Sequence, residues 1–224
     1  MKKAIAILLS LTMILGLAAC GNSASQTEQP STEDTSVESK ADTKSAENST
    51  DMENMDNQDV QDHKVLVAYF SATGTTKGVA EHIANGLNAD IYEIVPEEPY
   101  TDADLDYNDN NSRTTIEMND PNARPAISGS VENMEQYDTV FIGYPIWSGE
   151  APRIVSTFVE SYDFSGKTIV PFCTSGGSDM GSSAASLEQL INGAAWLDGR
   201  RLNGSDSQDT VMEWVNSLDL NLGK

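Results

Sequence analysis

The chain has 224 residues and a formal net charge of -22, with 35 acidic side chains against 13 basic ones. That balance excludes nucleic acid as a partner, because holding a phosphate backbone requires clustered Lys and Arg; a basic protein surface suits it better, and so does plain solubility. The residues before His63 contain almost nothing that can form a core, so a single globular domain is expected from His63 to the C-terminus.

In chain order, Lys2 and Lys3 precede an apolar run, Ala4 to Leu17, that is too short to span a bilayer comfortably and ends in small residues. It reads as a secretion signal, not as a structural helix. Its ending, Leu17-Ala18-Ala19-Cys20, resembles a bacterial lipobox. The resemblance implies cleavage after residue 19, lipid attached to Cys20, and a mature protein anchored to the outer side of the cell membrane; the alternative is an ordinary signal with an incidental cysteine. With Cys20 lipidated, Cys173 has no intramolecular partner, so no disulfide framework is drawn. From Gly21 to Asp62 the chain is Ser, Thr, Glu, Asp, Gln and Asn with only two valines and no aromatic residue. Residues 20–62 are expected to be a disordered tether, extended by the repulsion of their acids.

Val65 to Phe70 is an apolar run that reads as a first strand, and it breaks into Ser71-Ala72-Thr73-Gly74-Thr75-Thr76-Lys77. Val79, Ile83 and Leu87 follow at helical spacing, which ends this loop at a helix N-terminus where free N–H groups and the macrodipole favour an anion. Asp90 to Val95 reads as a second strand at a partly exposed edge. The polar stretch from Asp102 to Met118 carries weak helical signals, and Pro121, Pro125 and Gly129 break the chain after it. Thr139 to Tyr144 reads as a central strand of a parallel sheet, ending at Pro145-Ile146-Trp147-Ser148-Gly149 ahead of a helix that Pro152 opens. Thr168 to Cys173 is another buried strand, ending at Thr174-Ser175-Gly176-Gly177-Ser178 ahead of a helix bearing Leu187, Leu190 and Ile191. A weak strand near Ala194 to Arg200 and a helix from Thr210 to Leu218 close the chain. Strands alternating with helices predict an α/β fold of three layers, a doubly wound five-stranded parallel sheet in the order 2-1-3-4-5, with ligands at the carboxyl ends of the strands.

Each of the three loops has a chemical reading and a bland one. The hydroxyls of Ser71, Thr73, Thr75 and Thr76 with backbone N–H groups can hold a phosphate monoester without arginine, or they merely cap a helix. Lys77 helps them or points to solvent. The spacing matches neither a Walker A motif nor a GxGxxG fingerprint. Trp147, exposed at the end of a central strand, stacks on a planar ligand or else packs over the sheet end. The glycines of the third loop let N–H groups approach a polar ring edge, or serve as a plain linker. His63 and His82 have no clustered partners and so make no metal site, and no hydrolytic constellation accompanies the serines.

Tyr69 to Lys77, Gly143 to Pro152 and Pro171 to Ser178, in that order, resemble the three FMN-contacting segments of flavodoxins, and the resemblance extends from His63 to the end of the chain. It implies noncovalent FMN, its phosphate at Ser71, Ala72, Thr73, Gly74, Thr75, Thr76 and Lys77. Its ring would then lie between Pro145, Ile146, Trp147, Ser148 and Gly149 on one side and Thr174, Ser175, Gly176, Gly177 and Ser178 on the other. It also implies an electron carrier shuttling between a reductase and an acceptor protein, with a low reduction potential expected in acidic surroundings. Two other readings stand beside it: an FMN-dependent NAD(P)H or quinone oxidoreductase in which Asp102 to Ala126 shapes a substrate pocket, and a surface binding module without redox chemistry. Cys173 touches the ring or is a buried cysteine at a strand end.

Overall fold

The computed structural model describes residues 64–220. The signal sequence, Cys20, the tether and His63 lie outside the described residues.

Hydrophobic alternation sets the layers. In β1 (Lys64–Tyr69) and the residue after it, Leu66, Ala68 and Phe70 pack into one core, while Val65, Val67 and Tyr69 pack into another. In β5 (Tyr137–Pro145), Val140, Ile142 and Tyr144 join the first core and Phe141 the second; in β6 (Thr168–Thr174), Ile169 and Cys173 join the first, Val170 and Phe172 the second. A side-chain period of two on strands buried on both faces produces this division. Helices α1 (Thr75–Leu87) and α5 (Gln208–Ser217) cover the second core through Val79, Ile83, Val211 and Trp214. Helix α3 (Arg153–Glu160) covers the first with Ile154, Val155, Phe158 and Val159, joined by Leu187 of α4 (Ser183–Glu188) and Met118 of α2 (Arg113–Asn119).

The main sheet is parallel. β1 lies between β2 (Asp90–Glu93) and β5, and β5 pairs with β6, which in turn pairs with both β7 (Ala195–Trp196) and β8 (Arg200–Leu202). Counting β7 and β8 as one interrupted fifth strand, the order is the expected 2-1-3-4-5. The interruption has a cause in β6. Leu197 donates its N–H to the Ile169 carbonyl, so the backbone groups of Ile169, and two residues on those of Pro171, face the fifth strand. Proline has no N–H to give there, and the ladder lapses between the Ile169↔Trp196 and Phe172↔Arg200 pairs.

Three elements differ from the sequence reading. The second strand stops at Glu93; Val95–Pro96 (β3) pairs instead with Ile127–Ser128 (β4) in a small antiparallel sheet. The fourth helix has six residues only, so Leu190 and Ile191 follow it in a turn. The stretch from Asp102 to Ser112 is a series of turns and only the part from Arg113 is helical.

Gly143, the partner of Phe172 across β5 and β6, has that ring lying over it: a Cβ there would come within 2.2 Å of the ring carbon Cζ. Phe172 is fully buried and cannot swing away. Gly143→Ala is therefore expected to cost about 1–3 kcal/mol of stability by overpacking, read as a lower urea midpoint at unchanged slope.

Candidate functional site

The parallel register brings the three loops level. Tyr69 is opposite Gly143, Phe70 donates its N–H to the Gly143 carbonyl at 2.9 Å, and Pro145 is opposite Thr174. Two further bonds join the loops. Ile146 donates its N–H to the Thr174 carbonyl at 2.9 Å, and the buried hydroxyls of Thr76 and Thr174 are 2.8 Å apart. Between the loops is a cleft of about 500 Å³, within the usual range for a small-molecule site.

The first loop forms the polar end. Gly74, at φ 86°, is the N-cap of α1 and offers no side chain to it. The first intrahelical bond runs from Gly78 N–H to the Gly74 carbonyl at 3.2 Å, so the N–H groups of Thr75, Thr76 and Lys77 are left without helical acceptors. Ser71 Oγ is shielded from solvent and has no partner among the described residues. A buried hydroxyl left unpaired is costly, and a ligand oxygen in the cleft removes that cost. Thr73 and Thr75 are exposed, their hydroxyls 3.3 Å apart. Lys77 is turned to Glu93 on β2, 3.9 Å away, and Glu93 also accepts from Tyr69 Oη at 3.0 Å. The donors facing the cleft are thus neutral hydroxyls and amides, a set suited to a phosphate oxyanion at a helix N-terminus.

Ser71, Ala72, Thr73, Thr75, Thr76, Pro145, Ile146, Trp147, Thr174, Ser175 and Gly176 line the cleft; Gly74, Lys77, Ser148, Gly149, Gly177 and Ser178 do not. Ser148 and Gly149, at φ 49° and 84°, make a tight turn closed by Trp147 and Glu150, whose N–H and carbonyl groups pair both ways at 3.0 Å. The third loop folds on itself. Ser175 Oγ donates to the Ser178 carbonyl and accepts from Gly177 N–H, which leaves Ser175 and Gly176 toward the cleft.

The expectation of an exposed Trp147 is corrected by the structure, where it is 3% exposed. Phe70 and Tyr100 meet it edge to face, at centroid distances of 5.4 and 5.3 Å and interplanar angles of 88° and 81°. Tyr100 comes from the connection that the sequence left unread. Its hydroxyl donates to Glu117 Oε2 at 2.7 Å, its ring lies under the Arg113 guanidinium at 4.1 Å, and Arg113 Nε donates to Glu117 Oε1 at 2.6 Å. Burial, reinforced by the Glu117 carboxylate, holds the Tyr100 phenol protonated.

The same connection sends Asp102, Leu105 and Tyr107 to the cleft wall. Tyr107 is 59% exposed and lines the cleft beside Trp147, which itself follows the alternative of packing over the sheet end. A signal for this fold of the chain was available. Asp106, Asp109 and Asp120 each accept the N–H two residues on, at 2.9, 2.8 and 2.9 Å, and Ser112 caps α2 by accepting from Thr115 N–H at 3.3 Å. Asp-x-Asn repeated three times followed the turn chemistry of a structured connection.

Three loops at the carboxyl edge of a doubly wound sheet, one with unpaired donors and all lining one cleft with Trp147 and Tyr107, suit a phosphate ester carrying a planar group. The chain matches the family model described as Flavodoxin over residues 64–218, and it belongs to the flavodoxin family. Among solved structures it is similar to a candidate flavoprotein from Bacteroides eggerthii DSM 20697, with 48% identity, 70% of this chain and 99% of that one covered, and a TM-score of 0.67. Another, from Bacteroides uniformis ATCC 8492, has 46% identity, coverage of 69% and 98%, and a TM-score of 0.66. A flavoprotein from Lactobacillus acidophilus NCFM in complex with FMN shares the fold at 22% identity, with coverage of 68% and 99% and a TM-score of 0.54. No curated protein matches the chain.

Cys173 lies one residue before the third loop and is fully buried; burial, with Asp179 adding to it, pushes its thiol up from 9.0 to about 12. A raised value favours the folded, protonated thiol fully below pH 9.0, and this stabilisation fades as pH climbs from there toward about 12. In a Cys20→Ser background, iodoacetamide at pH 8 is expected to leave Cys173 unmodified in the native protein and to label it completely in denaturant. Equal rates in both states would show the thiol to be accessible.

Proposed function

We propose that the domain binds FMN noncovalently in this cleft and serves as an electron carrier, tethered to the outer face of the cell membrane by lipid on Cys20. One observation carries the cofactor assignment: the unpaired, buried Ser71 hydroxyl beside the free first-turn N–H groups of α1, at the polar end of a cleft whose other wall holds Tyr107. FMN supplies one- and two-electron chemistry when bound. Ser71, Thr73, Thr75 and the α1 amides would hold its phosphate; Ile146, Trp147, Tyr107 and the Ser175-Gly176 backbone would surround its ring. Among the described residues no cationic side chain lines the cleft wall, and Asp102 adds a negative one. Negative charge beside the ring disfavours adding electrons to it, which supports a low potential. Redox proteins, one reductase and one acceptor, are the partners this role requires.

A visible spectrum of the purified protein reconstituted with FMN, before and after dithionite, tests the reading: flavin bands that bleach on reduction support it, and a colourless protein that passes FMN straight through a desalting column overturns it. Ser71→Ala is expected to weaken FMN about tenfold or more, as removal of a hydrogen bond to a charged group does. Tyr107→Ala is expected to weaken it roughly three- to tenfold, the worth of an aromatic stack, and to raise the fluorescence of bound flavin. Both are read by fluorescence titration.

The wall formed by Asp102, Leu105 and Tyr107 also favours a second reading, an FMN-dependent NAD(P)H or quinone oxidoreductase. Steady NAD(P)H oxidation by the loaded protein without a protein partner would decide for it.

A further inference from the structure

A second cavity, of about 300 Å³, lies between α3 and α4 and shares no lining residue with the cleft. The Trp147–Glu150 turn stands between them, Trp147 lining one and Glu150 the other. Two polar side chains of its α3 wall, Arg153 and Ser156, bear on what it can hold. Arg153 Nε is shielded from solvent and has no acceptor among the described residues, while its Nη2 donates to the Met118 carbonyl at 3.1 Å. Ser156 is 4% exposed and its hydroxyl has no partner among the described residues. Its neighbours on the helix behave differently: Thr157 bonds to the Pro125 and Arg153 carbonyls and Ser161 to the Thr157 carbonyl. Ser186 on α4 also lines this cavity.

A shielded donor without an acceptor is rare because it is costly, and Arg153 and Ser156 both line a space large enough for a small ligand. The charge pattern decides what kind. Arg124 is held by Glu160 through two bonds, of 2.6 and 2.8 Å, so it is neutralised locally. Glu150 is an anion at the edge of this cavity, one of its oxygens held by the Ser182 hydroxyl at 2.9 Å, and Arg153 is the cation here that has no carboxylate partner among the described residues. A guanidinium fork matches a carboxylate in shape and charge. Leu187, Leu190 and Ala151 give the remaining wall an apolar surface.

We propose that this cavity binds a small organic carboxylate, its charged end on Arg153 with Ser156 and its apolar body along Leu187 and Leu190. The site is independent of the cleft and of what the cleft holds. Ligand-observed NMR titration of the folded protein with benzoate and with hexanoate, each beside its neutral amide, tests it. Saturable binding of at least one acid, at least tenfold tighter than its amide, is expected. Arg153→Gln should abolish that binding, Ser156→Ala should weaken it several-fold, and Ser71→Ala in the first cleft should leave it unchanged. Acid and amide binding alike, no binding of either acid, or loss of binding in Ser71→Ala would each overturn the proposal, showing a cavity filled by water alone or a carboxylate resting in the cleft. Should Arg153→Gln fail to fold, Arg153→Lys keeps the charge without the fork, and undiminished benzoate or hexanoate binding by it would count against the site equally.

Discussion

The register of the parallel ladder between β1, β5 and β6 is the constraint on which the rest of the site depends. Parallel strands put all their carboxyl ends on one edge, and pairing Tyr69 with Gly143 and Pro145 with Thr174 lets three separate loops leave the sheet within a residue or two of a common line. A slip of one residue on any of these strands would turn its whole side-chain pattern over, moving Phe141 or Phe172 from the second core to the first. Burial on both faces therefore fixes the register, and the register assembles the cleft. The bond between the Thr76 and Thr174 hydroxyls is a late consequence of this geometry: it joins residues 98 positions apart.

Charge explains how an acidic protein can offer an anion a place to bind. The chain carries 35 acidic side chains against 13 basic ones, and the lysine of this loop, Lys77, is drawn off by Glu93. What remains at the loop is an uncapped helix start and neutral hydroxyls, whose dipoles are fixed in place before any ligand arrives. Neutral donors of this kind discriminate by geometry more than by net charge. They also spare the loop a cationic side chain that the surrounding acids would pair with.

Much of this was legible in the sequence, and the exceptions share a physical origin. Apolar runs and their breaks located β1, β5 and β6 and the three loops, because strands buried on both faces need no context to be recognised. The fifth strand's interruption was written in Pro171, but on a different strand, and only the direction of the Ile169 carbonyl shows which neighbour the missing N–H would have served. Trp147 was misjudged for a similar reason. Its burial depends on Tyr100, which is positioned by Arg113 and Glu117 through contacts within a segment that has no hydrophobic periodicity. Hydrogen-bonded turns of Asp and Asn carry information in side-chain geometry, and a pattern of hydropathy does not record it.

The connection from Tyr100 to Asn119, between the two strands of the small sheet, consequently has a larger part than a linker. It buries Trp147, places Tyr107 at the cleft, and through the Met118 carbonyl holds Arg153 at the start of α3. Ser148 and Gly149 turn the chain back so sharply that Trp147 serves one cavity and Glu150 the next. One polar segment, organised by its own short-range bonds, thus lines one cavity and holds an arginine of the next. Its acids and amides, which look like simple solubilising surface in the composition, are the groups that bond the segment to itself.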